Sequence, residues 1–172
     1  VRNDTVVPKS SGSNELGFRA MYPALHRFAS VVADRDVDPD DLVQDALVGL
    51  LRSPPARIRD PEAYLRRSIV NAMAGVRRRA AVRRVTPVDP ATALDELPAG
   101  GVQEVVWPAE VRAVMDAVPP ADRALLYLLD VEDLTSGTVG SILGMSAVAV
   151  RARASRARRA ARRVLGGEED AR

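Results

Sequence analysis

The stretch from Asp133 to Arg163, DLTSGTVGSILGMSAVAVRARASRARRAARR, leaves few folds open to this chain. It reads as two short helices around a tight turn. The Thr135 hydroxyl can accept from an orphan N–H of the first helix's opening turn. Val139, Ile142 and Leu143 recur at helical spacing on one face. Gly144 suits the left-handed backbone at a helix end, and Ser146 suits the cap of the next helix. That second helix has Val150, Ala154, Ala157 and Ala161 on an inner side. It also carries Arg151, Arg153, Arg156, Arg158, Arg159, Arg162 and Arg163, with no acid among them. Arginines suit the negative end of a helix dipole, so a solvated helix end is one reading. Solvated helices usually mix charge signs, however, and a helix–turn–helix with a basic second helix points to reading of the DNA major groove.

The remainder of the chain is also helical in pattern. Residues 1–14 are polar, without periodicity, and are expected to be a disordered lead. From Glu15 to about Ala33, Leu16, Met21, Leu25, Phe28, Ala29 and Val32 can line one face. His26, the single histidine, falls in this pattern and reads as packing rather than as a ligand. Asp38 and Pro39 then open a helix to Arg52, with Asp40 and Asp41 at its positive end. Leu42, Ala46, Leu47, Leu50 and Leu51 read as its core face. Asp41, Gln44, Asp45, Val48 and Arg52 form a second, mixed stripe, read either as a solvated face or as a protein-docking surface.

Pro54 and Pro55 stop that helix, and Pro61 starts another, to about Arg79. Leu65, Ile69, Ala72, Met73 and Val76 point inward, while Arg66, Arg67, Asn71, Arg77 and Arg78 lie opposite. No acid interrupts the arginines between Ala63 and Val88, so this is a second basic strip suited to nucleic acid. Pro, Gly and acidic residues then displace the apolar periodicity, which marks a boundary. The expected organisation is all-α. A first domain spans 15–84, a flexible linker 85–104, a helix–turn–helix domain 105–165 and a tail 166–172. In the second domain helical periodicity returns from Val105, with Val106, Val111, Val114, Met115 and Val118, and a further helix from Ala121 to Leu129 precedes the helix–turn–helix.

Composition excludes several classes. There is no cysteine, hence no disulfide and no thiolate metal site. The chain shows no metal-ligand cluster, no Gly-rich phosphate loop and no nucleophile–base set, so neither enzyme chemistry nor a cofactor is expected. No apolar run approaches the ~20 residues of a membrane span, and no secretory leader is visible, so a cytoplasmic location is expected. Net charge is only +2, so the basic strips matter through their placement.

Two blocks in order carry a resemblance. The first is DPDDLVQDALVGLLR followed by DPEAYLRRSIVNAMAGVRRR; the second is VPPADRALLYLLDVEDLTSGTVGSILGMSAVAVRARASRARRA. Together with the acidic linker between them, they resemble bacterial RNA polymerase sigma factors of the extracytoplasmic-function group, which keep only sigma regions two and four. The resemblance implies that Asp41, Leu42, Gln44, Asp45, Val48 and Arg52 dock on the β′ clamp helices of core RNA polymerase. It implies capture of an unstacked minus-ten base by the loop Ser53 to Asp60 and the next helix, where the chain offers Arg57, Arg59, Tyr64, Arg67, Asn71 and Arg78. It implies reading of the minus-thirty-five element by Ser146, Ala147, Val148, Ala149, Arg151, Ala152, Ser155 and Arg156. The implied partners are core polymerase, through the clamp helices and the β flap, promoter DNA, and an anti-sigma factor as a further candidate. A helix–turn–helix regulator acting without polymerase docking is the alternative. A helical scaffold is a third reading, against which the two basic strips argue.

Overall fold

A computed structural model describes residues 11–54, 58–85 and 108–167. In chain order the helices are α1 (Ser11–Val32), α2 (Pro39–Arg52), α3 (Pro61–Val85), α4 (Ala109–Ala117), α5 (Pro120–Leu126), α6 (Ser136–Leu143) and α7 (Ala147–Gly167). Among the described residues there is no strand. The expected linker lies almost wholly outside the described residues, as do most of the expected lead and the end of the tail. α1 begins at Ser11, inside the stretch read as a disordered lead. The polar residues there fit a first helical turn, whose N–H groups need no intrahelical partner.

Local chemistry sets the helix ends. The Asp38 side chain accepts from the Asp40 N–H at 2.8 Å, and Asp60 accepts from the Ala63 N–H at 3.0 Å, so α2 and α3, each opened by a proline, are capped. The Tyr22 hydroxyl donates to Asp40 at 2.5 Å, and His26 Nε2 lies 3.4 Å from the same carboxylate. Burial, then the Asp40 hydrogen bond and the negative charges of Asp40 and Asp38, push the Tyr22 hydroxyl up to about 12, so it remains a donor. His26 is buried in this contact, as a packing residue would be.

The first half packs α1, α2 and α3 against one another. Leu25, Phe28, Ala29 and Val32 of α1 are buried with Leu42, Val43, Ala46 and Leu50 of α2 and Leu65, Ile69 and Met73 of α3. Leu51 is different. It was expected in the core, yet it is 71% exposed. One residue beyond Leu50 turns about 100° around a helix of 3.6 residues per turn, which carries Leu51 off the buried stripe.

In the second half, α5 does not end at Leu129 as a simple helix. It passes into a π-helical turn at Tyr127–Val131, where the Glu132 N–H donates to the Tyr127 carbonyl at 3.1 Å. The Leu134 N–H reaches back to the Leu128 carbonyl at 3.0 Å, which closes the turn and aims the chain at α6. Asp133 takes a left-handed backbone (φ 53°) in this corner, tolerated because a short polar side chain suffers least there.

The halves touch. α5 packs on α1 and α3, and α6 packs on α3, so their buried residues form one continuous core. A polar feature of this junction is Asp34, just past α1. Arg77 of α3 donates to Asp34 through Nε at 2.6 Å and Nη2 at 2.7 Å, and Arg123 of α5 donates at 2.5 Å. Burial works against the Asp34 carboxylate, but the hydrogen bonds and charges of Arg77 and Arg123 outweigh it and hold the group below the usual carboxylate range. A depressed folded-state pKa adds stability that is fully present above the unfolded value near 4 and is lost as pH falls through the folded one. Urea unfolding at pH 7 and at successive steps below pH 4 should therefore show a falling midpoint. Asp34→Asn should flatten part of that fall; an unchanged acid profile in the variant would show that Asp34 is not coupled to folding.

Candidate nucleic-acid and polymerase interfaces

The helix–turn–helix is built as its sequence suggests. The Thr138 N–H donates to Thr135 Oγ1 at 3.2 Å, and the Ala149 N–H donates to Ser146 Oγ at 3.1 Å, so Thr135 and Ser146 are both caps. Gly144 holds φ 70°. A second glycine explains the tightness of the turn: a Cβ at Gly140 would meet the Met145 carbonyl oxygen at 2.5 Å, so no larger residue fits without a backbone shift. Val139, Ile142, Val150, Ala154 and Ala157 seat the pair of helices on the core.

That seating leaves one face of α7 in solvent. Ser146, Val148, Arg151, Ala152, Ser155 and Arg156 are exposed, while Ala147 and Ala149 are half-buried at its edge. Val148, 67% exposed, stands out as an apolar group facing solvent. The arginines divide in a way the sequence did not show. Arg153 pairs with Asp122, and Arg158 pairs with Asp130. These two belong to the fold. Arg151, Arg156, Arg159, Arg162 and Arg163 are exposed.

On α2, Asp41, Gln44, Asp45, Val48 and Arg52 are all exposed. Leu42 is not: at 2% exposure it lies in the core and has no surface for a partner. Its place in the stripe came from the resemblance, and the helix turns it inward between Asp41 and Val43. Leu51, expected in the core, is exposed instead. It follows Gln44 by seven residues and Val48 by three, so it falls on the same face.

On α3 the basic strip is more divided than expected. Arg66 is buried, with Nη1 on Glu132 and Nη2 on Glu62 at 2.6 Å. Arg77 is committed to Asp34. Both were expected to face nucleic acid; Glu62 and the distant Glu132 claim Arg66, and Asp34 claims Arg77. Arg59, Arg67, Asn71 and Arg78 are exposed. Tyr64 is half-buried, its hydroxyl 3.1 Å from Ser53 Oγ, while Ser53 donates to the Gly49 carbonyl at 2.9 Å. This ties the start of α3 to the end of α2. Arg57 lies outside the described residues. The Arg67 guanidinium rests at the helix–turn–helix corner, 2.6 Å from where a Cβ on Gly144 would stand.

An exposed basic helix on a well-seated helix–turn–helix defines a DNA-binding protein. The comparisons with known proteins carry the assignment further. The pattern of Sigma-70 region 2 matches residues 18–83, and that of Sigma-70, region 4 matches residues 109–160. Among curated proteins, the chain is 28% identical over 152 residues to the ECF RNA polymerase sigma factor SigM of Mycobacterium tuberculosis, covering 87% of this chain and 75% of that one. It is 29% identical over 149 residues to the ECF RNA polymerase sigma factor SigE of Mycolicibacterium smegmatis, covering 82% of this chain and 57% of that one. Among solved structures, its fold matches the sigma factor RpoE in complex with the anti-sigma factor NepR from Bartonella quintana. The TM-score is 0.64 at 18% identity, covering 90% of this chain and 97% of that one. The chain belongs to the sigma-70 family of RNA polymerase sigma factors, in its extracytoplasmic-function group. The family is not a catalytic one.

Proposed function

We propose that this chain binds core RNA polymerase through α2, directs it to promoters with α3 and α7, and does no chemistry of its own. The observation that supports this best is the pairing of two outward surfaces of opposite character on one chain. α2 presents Asp41, Gln44, Asp45, Val48, Leu51 and Arg52 away from the core, and α7 presents Arg151 and Arg156 with Val148, Ala152 and Ser155. A helix–turn–helix regulator that works alone has no use for the first surface. The stripe would dock on the β′ clamp helices, and the second half on the β flap. Arg59, Arg67, Asn71 and Arg78, with Tyr64, would contact the minus-ten element, and Arg57 is retained in that set. The protein would act in the cell interior, where polymerase is; among the described residues no helix is long and apolar enough to cross a membrane. An anti-sigma factor is a further candidate partner. Co-purification with core polymerase tests the reading: the chain should co-elute with core at stoichiometric ratio. Binding to duplex DNA with no affinity for core would favour the lone regulator.

The face of α7 supports a division of labour. Ser146 to Arg163 spans about 27 Å at 1.5 Å per residue, so only the first turns can enter a major groove deeply. Arg151 can take a guanine bidentately, a contact worth about 1–3 kcal/mol of discrimination. Val148 and Ala152 offer methyl groups, which suit thymine methyls. Arg151→Ala should relax preference at one or two minus-thirty-five positions. Arg156→Ala should weaken all duplexes alike and reduce the salt slope by about one. The check is the affinity of the full chain for duplexes differing at single base pairs, over a salt series. An unchanged ranking of duplexes with Arg151→Ala would remove that residue from the base-reading set.

A further inference from the structure

The charged side chains of α7 are all cations, yet one at the edge of its outer face is withheld. Arg158 follows Arg151 by seven residues, so the two share one edge of the helix, about 10 Å apart along its axis. Arg151 and Arg159, exposed on that face, meet no acid among the described residues. Arg158 does. Its Nε donates to Asp130 Oδ2 at 3.2 Å, and its Nη2 donates to Oδ1 of the same carboxylate. A guanidinium offers this fork of donors to a carboxylate and to a phosphate alike. The hydrogen bond to Asp130 raises the Arg158 guanidinium above its ordinary range, so it stays a full cation against either partner.

Folding has little need of this pair. Both side chains are 44% exposed, and ion pairs in that setting add little to stability. Arg153 is the contrast, since it meets Asp122 at 33% and 17% exposure, closer to the buried side of the helix. Asp130 stands in the π-helical turn, beside the edge that carries Arg158 and Arg151. Were Arg158 free, it would strengthen binding to every duplex, because phosphate contacts carry no sequence information. One more neutralised phosphate steepens the salt slope by about 0.9, or about fivefold in affinity near 0.15 M salt. The gain would not be equal for all duplexes. A guanine held by Arg151 fixes the depth and register of α7, and so fixes where Arg158 can reach. A helix with no base contact settles wherever it meets most phosphates, so it gains most from an added cation.

We propose that Asp130 is a specificity-determining residue that stands in for a backbone phosphate: it occupies the Arg158 fork and so lowers sequence-independent binding, while Arg151 stays free to read a base. This rests on promoter reading by α7 as proposed above.

The test is the affinity of the full chain, over a salt series, for duplexes differing at single base pairs and for one of scrambled sequence. Asp130→Asn should bind the scrambled duplex about two- to tenfold more tightly near 0.15 M salt, with a slope steeper by about one. The preferred duplex should gain less, so its preference over the scrambled one falls. Asp130→Asn/Arg158→Gln, which removes both charges of the pair, should return slope and preference to those of the starting chain. Asp133→Asn is the control for net charge: Asp133 is exposed in the same corner and pairs with no cation among the described residues, so its loss releases no arginine. It should leave the slope nearly unchanged. An unchanged slope in Asp130→Asn, an equal gain for preferred and scrambled duplexes, or an equal effect of Asp133→Asn would each overturn the role given to Asp130. A starting chain that ranks no duplexes would instead overturn promoter reading by α7, and the specificity role with it, while the slope would still report the release of Arg158.

Discussion

Replacing Phe28 with alanine is expected to cost about 3–5 kcal/mol of stability, the range for a fully buried aromatic that leaves a cavity. Phe28 is fully buried at the centre of the continuous core. Its ring meets Tyr127 at 63°, and the Arg66 guanidinium carbon lies 5.8 Å from its centroid. Such aromatic and cation–π contacts add about 0.5–1.5 kcal/mol each to the burial itself. The loss therefore falls on both halves: Tyr127 loses its ring partner, and Arg66, held between Glu62 and Glu132, loses the face it lies over. Urea and thermal unfolding followed by circular dichroism should show one destabilised transition, with the melting temperature lower by roughly 6–20 °C. Phe28→Leu, which keeps most of the volume, should recover much of it. A cost below about 1 kcal/mol for the alanine variant would mean that Phe28 does not anchor the core.

Reversal of Asp41 and Asp45 to arginine is expected to weaken binding to core polymerase by about 2–4 kcal/mol, roughly thirty- to a thousandfold in affinity. Both carboxylates are exposed on the face of α2 that also presents Val48 and Leu51. A partner that complements this stripe would meet two cations where it expects two anions. Folding should survive, because the leucine face is untouched and Asp40 still serves the positive end of the helix. The loss of Asp41 from the first turn costs about 0.3–1 kcal/mol. Unfolding of the variant, or undiminished affinity in a folded one, would remove the stripe from the interface.

Much of this fold was legible in the sequence because local chemistry decides it. Thr135, Gly144 and Ser146 each perform a task that depends only on nearby backbone, and the structure shows all three performing it. The apolar stripes of α1, α3 and α7 likewise follow from helical spacing. What escaped depends on residues far apart in the chain. Arg123, between Asp122 and Ala124, looks like any solvated arginine. Only the free carbonyls of α1, some ninety residues earlier, explain its burial. Arg153 and Arg158 lie on a helix without acids, yet Asp122 and Asp130 reach them from neighbouring elements. Arg66 and Arg77 were likewise claimed by Glu132 and Asp34. In the candidate polymerase interface, the spacing found Asp41, Gln44, Asp45, Val48 and Arg52. Leu42 entered by resemblance and proved to be core, and Leu51 was set on the wrong side because five leucine and alanine positions are more than one stripe can bury. The π-helical turn at Tyr127–Val131 has no signature in a run of leucines, since it is set by where α6 must begin.

The most direct test is transcription in vitro with core polymerase and the purified full chain on a library of randomised promoters. The expected result is transcripts dependent on the chain, whose templates share one motif near minus ten and a second near minus thirty-five. Arg151→Ala should blur only the second motif, and Asn71→Ala only the first. Transcripts that start without a shared motif, or no transcripts above those from core alone, would contradict the assignment of this chain as a promoter-recognition subunit.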